Sequence, residues 1–202
     1  MDKEKAFQAF IDHTRNWLFD LPESEQLMPL LKLRFTSEEA VFLSTFPHFP
    51  STMEQLSERL GRSAEELEKI MDTMIRKGFI YKVEGRSAVR YTCTDPIFFF
   101  HRMPGWKGED NAFNRELSLM LNKYYTDHQG ADFMGHPTKG LRAIPIGQTI
   151  ADTKQVLPYE DVIAFVEQED YHTVSTCACR HRHNLDPAFE KCDHEMEVSL
   201  HF

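Results

Sequence analysis

The sequence predicts an α+β chain: a helical N-terminal part closed by a β-hairpin, then a small α+β segment that carries cysteines. Three observations predict it. Helix start and stop signals recur through residues 36–78. Two β-rich runs flank a glycine turn within residues 79–93. Three of the four cysteines, Cys177, Cys179 and Cys192, crowd into residues 174–202, interleaved with His181, His183 and His194.

Composition narrows the class. Apolar residues make up 41 % of the 202, enough for a real core. The formal charge of -9 argues against a chain that mainly coats nucleic acid, because that affinity comes from neutralising phosphates. No apolar run approaches the ~20 residues of a membrane span, and the charged N-terminus lacks the apolar centre of a signal peptide. The expectation is therefore a cytoplasmic protein. Thiols stay reduced there, so clustered cysteines read as metal ligands rather than disulfides. The expected division is residues 1–95, a helical lead-in plus helix-and-hairpin domain, 96–157, a connector, and 158–202, a Cys/His segment.

The elements follow in order. Ala6, Phe7, Phe10, Ile11, Trp17 and Leu18 recur at helical spacing and predict a helix over about 3–19. Leu27, Leu30, Leu31 and Leu33 predict a short second one. Thr36 followed by Glu38 and Glu39 is a start signal, and Pro47 or Pro50 ends that helix. Thr52 starts the next, which Gly61 stops. Ser63 starts a third, with Leu67, Ile70, Met71, Met74 and Ile75 inward and Gly78 as its stop. Residues 79–83 and 88–93 then read as two strands around Gly85.

Helix, helix, helix, hairpin is the order of a winged helix-turn-helix, and residues 36–93 resemble that family. DNA-binding members lay the third helix in the major groove. Here the candidates for DNA or partner contact are Lys69, Arg76, Lys82, Arg86 and Arg90. Residues 36–95 hold eight Lys or Arg against ten Asp or Glu, so protein docking is favoured over DNA. Cys93, alone among apolar neighbours, reads as a buried side chain.

In the connector, the aromatic run 97–106 is expected to pack onto the preceding domain. A helix over about 110–129 carries Phe113, Leu117, Met120, Leu121 and Tyr124 on one face. His128 and His136 read as solvated loop residues. Residues 141–146 read as an edge strand because of Pro145. Pro158 opens a helix to about residue 170, and residues 171–176 read as a strand running into Cys177. Continued in extended form, that strand would point Cys177 and Cys179 the same way. Cys192 follows thirteen residues after Cys179, past a loop with Asn184, Asp186 and Pro187.

Four motifs in this half, Arg142-Ala143-Ile144-Pro145-Ile146, Leu157-Pro158-Tyr159-Glu160, Cys177-Ala178-Cys179-Arg180 and Cys192-Asp193 through Met196-Glu197-Val198, resemble those of ferredoxin-type iron–sulfur proteins with a winged helix ahead of the cysteine region. The likeness covers about residues 139–202. It implies a [4Fe–4S] cluster on Cys177, Cys179 and Cys192. Ser199 stands where the family pattern has its fourth cysteine, so Ser199, His194 or a partner's residue would complete the site. Family members continue into paired C-x-x-C-x-x-C-x-x-x-C-P motifs, and this sequence ends before any.

Donor softness admits both iron–sulfur and zinc. Zinc would take nitrogen from His181, His183 or His194 as a Cys3His site. Arg180 would donate to cluster sulfur or pair with Glu190 or Asp193. No acid–base pair, nucleophile triad or phosphate loop is visible, so no independent catalysis is expected. The leading reading is an accessory electron-transfer protein whose winged helix docks a redox partner or a further ferredoxin domain, or dimerises through the opening helix. The rivals are a redox- or metal-responsive transcriptional regulator and a zinc-stapled interaction module.

Overall fold

The computed structural model describes residues 3–15, 21–95, 97–130, 135, 163–164, 166–168 and 170–201. The chain is α+β, with seven α-helices and two small antiparallel sheets among the described residues.

Helix α1 (Lys3–Thr14) buries Ala6, Phe7, Phe10 and Ile11 along α3. Residues 16–19 of the longer helix expected there lie outside the described residues. Helix α2 (Leu27–Arg34) buries Leu27, Leu30 and Leu31. Helices α3 (Ser37–Thr45), α4 (Met53–Leu60) and α5 (Ala64–Arg76) each open on a reciprocal capping box, Thr36 with Glu39, Thr52 with Gln55 and Ser63 with Glu66. Each box satisfies two otherwise orphaned backbone donors, which fixes where the helix starts. Helix α3 ends at Phe46, before Pro47. Gly78 has φ 76°, and Phe79 N–H reaches back to Met74 O while Gly78 N–H bonds Ile75 O. That closure turns the chain from α5 straight into the hairpin.

Strand β1 (Ile80–Glu84) pairs antiparallel with β2 (Val89–Cys93), and an isolated bridge joins Ser51, in the α3–α4 loop, to Tyr91. The order expected of residues 36–95 is thus what is found. On α5 Leu67, Met71 and Met74 are buried, while Ile70 and Ile75 are only partly covered.

Phe99 and Phe100 of the aromatic run pack inward, as expected. Residues 97–102 form one π-helical turn, and Phe99 and Phe100 are buried. Phe35, between α2 and α3, meets four rings: Phe10 at 5.2 Å, Phe79 at 4.4 Å, Phe99 at 5.4 Å and Phe100 at 6.0 Å. Arg34 lies over the Phe79 ring and donates to Phe99 O and Lys77 O. Burial lowers its pKa to about 10, so it stays charged at neutral pH.

Helix α6 (Ala112–Tyr124), capped by Asn111, continues as a π-helical turn over Tyr125–Gln129. Leu117, Leu121 and Tyr124 are buried and Met120 is partly covered. Phe113 departs from the expected apolar face and is 38 % exposed, in the first turn of the helix. Tyr124 Oη donates to Pro22 O, and His128 Nε2 lies 2.7 Å from Gln26 Oε1. His128 is therefore docked on the N-terminal part rather than simply solvated. Residues 163–164 and 166–167 are helical, within the helix expected after Pro158. His136, the expected strand 141–146 and the motif 157–160 lie outside the described residues.

His13 on α1 stacks on His48 of the α3–α4 loop, centroids 4.2 Å apart. Burial lowers both pKa values, and the charge of Arg59 pushes the same way. A folded pKa below the unfolded one means the unfolded chain takes up protons first as pH falls. The stability these groups contribute is full above about pH 6.5 and is lost as pH falls through the lowered folded values. Melting temperature is thus expected to drop between pH 7.5 and 5.5, and His48→Gln to flatten that drop.

Candidate metal centre

The C-terminal segment is built from β3 (Thr173–Thr176), α7 (Ala178–Leu185) and β4 (Glu197–His201). Strand β3 pairs antiparallel with β4, Ser175 opposite Ser199, with a register shift after Ser175. The strand stops at Thr176, whose N–H bonds Trp106 O. The approach is close: a Cβ on Gly105 would sit 2.9 Å from Ala178 Cα, and one on Gly108 would sit 2.6 Å from Thr176 Oγ1.

Here the extended geometry expected for Cys177 and Cys179 is corrected. Cys177 occupies the position just before α7 and Cys179 lies in the first helical turn. Residues two apart on a helix do not share a face, so the strand argument for a common direction fails. Asn184 belongs to this helix rather than to a loop. The missed helix had a signal: Ala178, His181 and Leu185 follow i, i+3, i+7 spacing, and Ala178 and His181 are buried.

Three tethers bring residues 192–196 back onto that helix. Cys177 N–H donates to Met196 O at 2.6 Å. Cys192 N–H donates to Asn184 Oδ1 at 2.7 Å. The Arg180 guanidinium donates to Glu195 O. Arg180 thus serves the backbone of the return loop, and forms no ion pair with Glu190 or Asp193. Neither Asn184 nor β4 was singled out by sequence, because Asn184 makes its bond to a residue eight positions away.

The thiols differ in access. Cys177 and Cys192 are half-buried and Cys179 is exposed. Arg182, half-buried one turn beyond Cys179, has its pKa lowered by burial. Cys93 lies apart, buried beside β1, and burial pushes its thiol up to about 12. It stays protonated at neutral pH and plays the packing role expected of it.

The histidines are dispersed. His181 Nε2 lies 3.0 Å from Glu109 O, which also accepts from Asn114. A carbonyl only accepts, so Nε2 carries the proton. The His183 ring lies tilted against Phe189, centroids 4.5 Å apart. His194 is exposed, its Nε2 4.0 Å from Asp193 Oδ1. No group of three or more His, Cys, Asp or Glu side chains among the described residues is gathered closely enough to hold an ion. The fit to a cluster is therefore one of donor type, three soft thiols with the Ser199 hydroxyl, and of backbone tethering.

The basic residues of the N-terminal part are mostly answered by acids on their own elements. Lys69 pairs with Glu65 at 2.8 Å, Arg76 with Asp72, and Lys82 with Glu84 at 2.8 Å. Arg86 and Arg90 form no ion pair among the described residues.

No family model matches the chain, and neither a curated protein nor a solved structure matches it. No helix among the described residues is long and apolar enough to cross a membrane.

Proposed function

We propose that the chain is an accessory electron-transfer protein that binds an iron–sulfur cluster through Cys177, Cys179 and Cys192, with Ser199 at the fourth position. The observation that carries this reading is the set of tethers at Met196, Asn184 and Glu195, which fasten the loop bearing Cys192 to the helix that begins at Cys177. A disordered tail would leave the third thiol free to wander, and its ordering entropy would oppose binding. When bound, the cluster supplies one-electron redox chemistry.

The chain's own groups have distinct tasks. Cys177 and Cys192, half-buried, limit water at the site. Asn184 and Arg180 hold the return loop. The outer face of the β3–β4 sheet is apolar, with Val174 opposite Leu200 and Val198 beside them, all exposed. That face lies next to the thiols and suits a docked redox partner. The N-terminal helices and hairpin would act as a winged-helix docking module, since the acid partners of Lys69, Arg76 and Lys82 weaken the field that phosphates need.

Anaerobically prepared protein is expected to give a paramagnetic resonance signal on reduction with dithionite, and Cys192→Ala to abolish it. A wild-type protein that is silent and colourless would sink the proposal.

A further inference from the structure

The described residues hold a cavity of about 770 Å³ far from the cysteines in sequence, walled by α3, α5 and the end of α4. Its floor is apolar: Val41, Phe42, Leu60, Ile70 and Met74. Small-molecule sites have volumes of roughly 300–1,000 Å³ and apolar walls with a few polar groups placed to orient the ligand.

The charges are segregated along it. Glu39 bonds Lys77 at 2.5 Å, so the start of α3 lies against the end of α5. Arg62, just ahead of α5, also lines the cavity and is separated from the Glu39–Lys77 contact by the length of α5, ~20 Å. Arg59, at the end of α4, lines the cavity as well. From Glu38 to Thr45 the helix rises ~10 Å.

At the acidic end demand is met. Glu39 accepts from Thr36 N–H as well as Lys77. Glu38 accepts from Ser37 and sits in the first turn of α3, where the helix dipole favours an anion. Arg59 and Arg62 form no ion pair among the described residues. An apolar floor with two guanidinium groups beside it complements an acid with a hydrocarbon or aryl body and a single carboxylate, a group that arginine's planar fork binds with two hydrogen bonds.

We infer that this cavity is a binding site for a medium-sized apolar carboxylate, anchored at Arg59 and Arg62 with its body over Ile70 and Met74. The site does not depend on the cysteine segment. It would place a metabolite-responsive element inside the docking module, because a ligand there touches both α3 and α5.

The test uses the full chain labelled with methyl-¹³C methionine. Decanoate is titrated against decylamine of equal chain length. Met74 lines the cavity, and Met71, buried on the same helix but not lining it, is the control. Decanoate is expected to shift the Met74 methyl saturably, with decylamine at least about tenfold weaker. The Arg59→Gln, Arg62→Gln double variant should lose decanoate affinity about tenfold or more, as for loss of charged hydrogen bonds. Both arginines are exposed, and an unchanged Met71 signal and melting temperature would confirm an intact fold. Equal affinity for acid and amine, an unaffected double variant, or no binding overturns the inference. So does a Met74 shift that tracks protein concentration alone with a dimer in sedimentation, since a second copy would then fill the cavity.

Discussion

Replacing Ser199 by cysteine is expected to convert a labile cluster into a persistent one. Ser199 is half-buried on β4, opposite Ser175 and two positions from Cys177 across the sheet. A serine hydroxyl is a hard, reluctant ligand, whereas thiolates are the usual donors to iron–sulfur clusters. The absorbance near 400 nm of Ser199→Cys should outlast that of the wild type on the order of tenfold in air, in keeping with the softer donor. Equal decay rates would show that position 199 takes no part in the site.

The second large effect concerns the scaffold. Phe35→Ala should destabilise the chain by ~3–5 kcal/mol, the range for truncating a buried aromatic. Phe35 is 4 % exposed and meets rings from α1, from the residue ahead of β1 and from the aromatic turn. Each such ring pair adds ~0.5–1.5 kcal/mol beyond the area buried. The loss would leave the cavity under three elements at once, so chemical denaturation should show a lower midpoint. A change within ~1 kcal/mol would mean the ring cluster relaxes around the void.

The N-terminal half was largely legible because its signals are local. A cap and its box partner are three residues apart, and Gly78 announces its own turn. Burial of Leu67, Met71 and Met74 follows from helical period alone. The hairpin followed from two short runs around a glycine. Phe113 shows the limit: period places it on the apolar face, yet at the start of α6 it is left 38 % exposed.

In the cysteine segment the sequence shows which donors are present, but the geometry expected of Cys177 and Cys179 was misread. The thiols and histidines were visible, yet their density drew the eye from the helical spacing of Ala178, His181 and Leu185. His181 looked like a metal donor and proves to be tied to Glu109 O, a carbonyl 72 positions away. Trp106, Gly105 and Gly108 support the segment from the aromatic connector, and no local pattern links those two stretches. Long-range tethers of this kind set the position of a site while leaving almost no trace in its own sequence.

The central claim is that the three thiols hold an iron–sulfur cluster. Iron, acid-labile sulfide and zinc measured on protein purified without oxygen test it most directly. Iron and sulfide in equal amounts, near four of each per chain as a [4Fe–4S] cluster requires, with zinc absent, is the predicted result. One equivalent of zinc with no sulfide would contradict it.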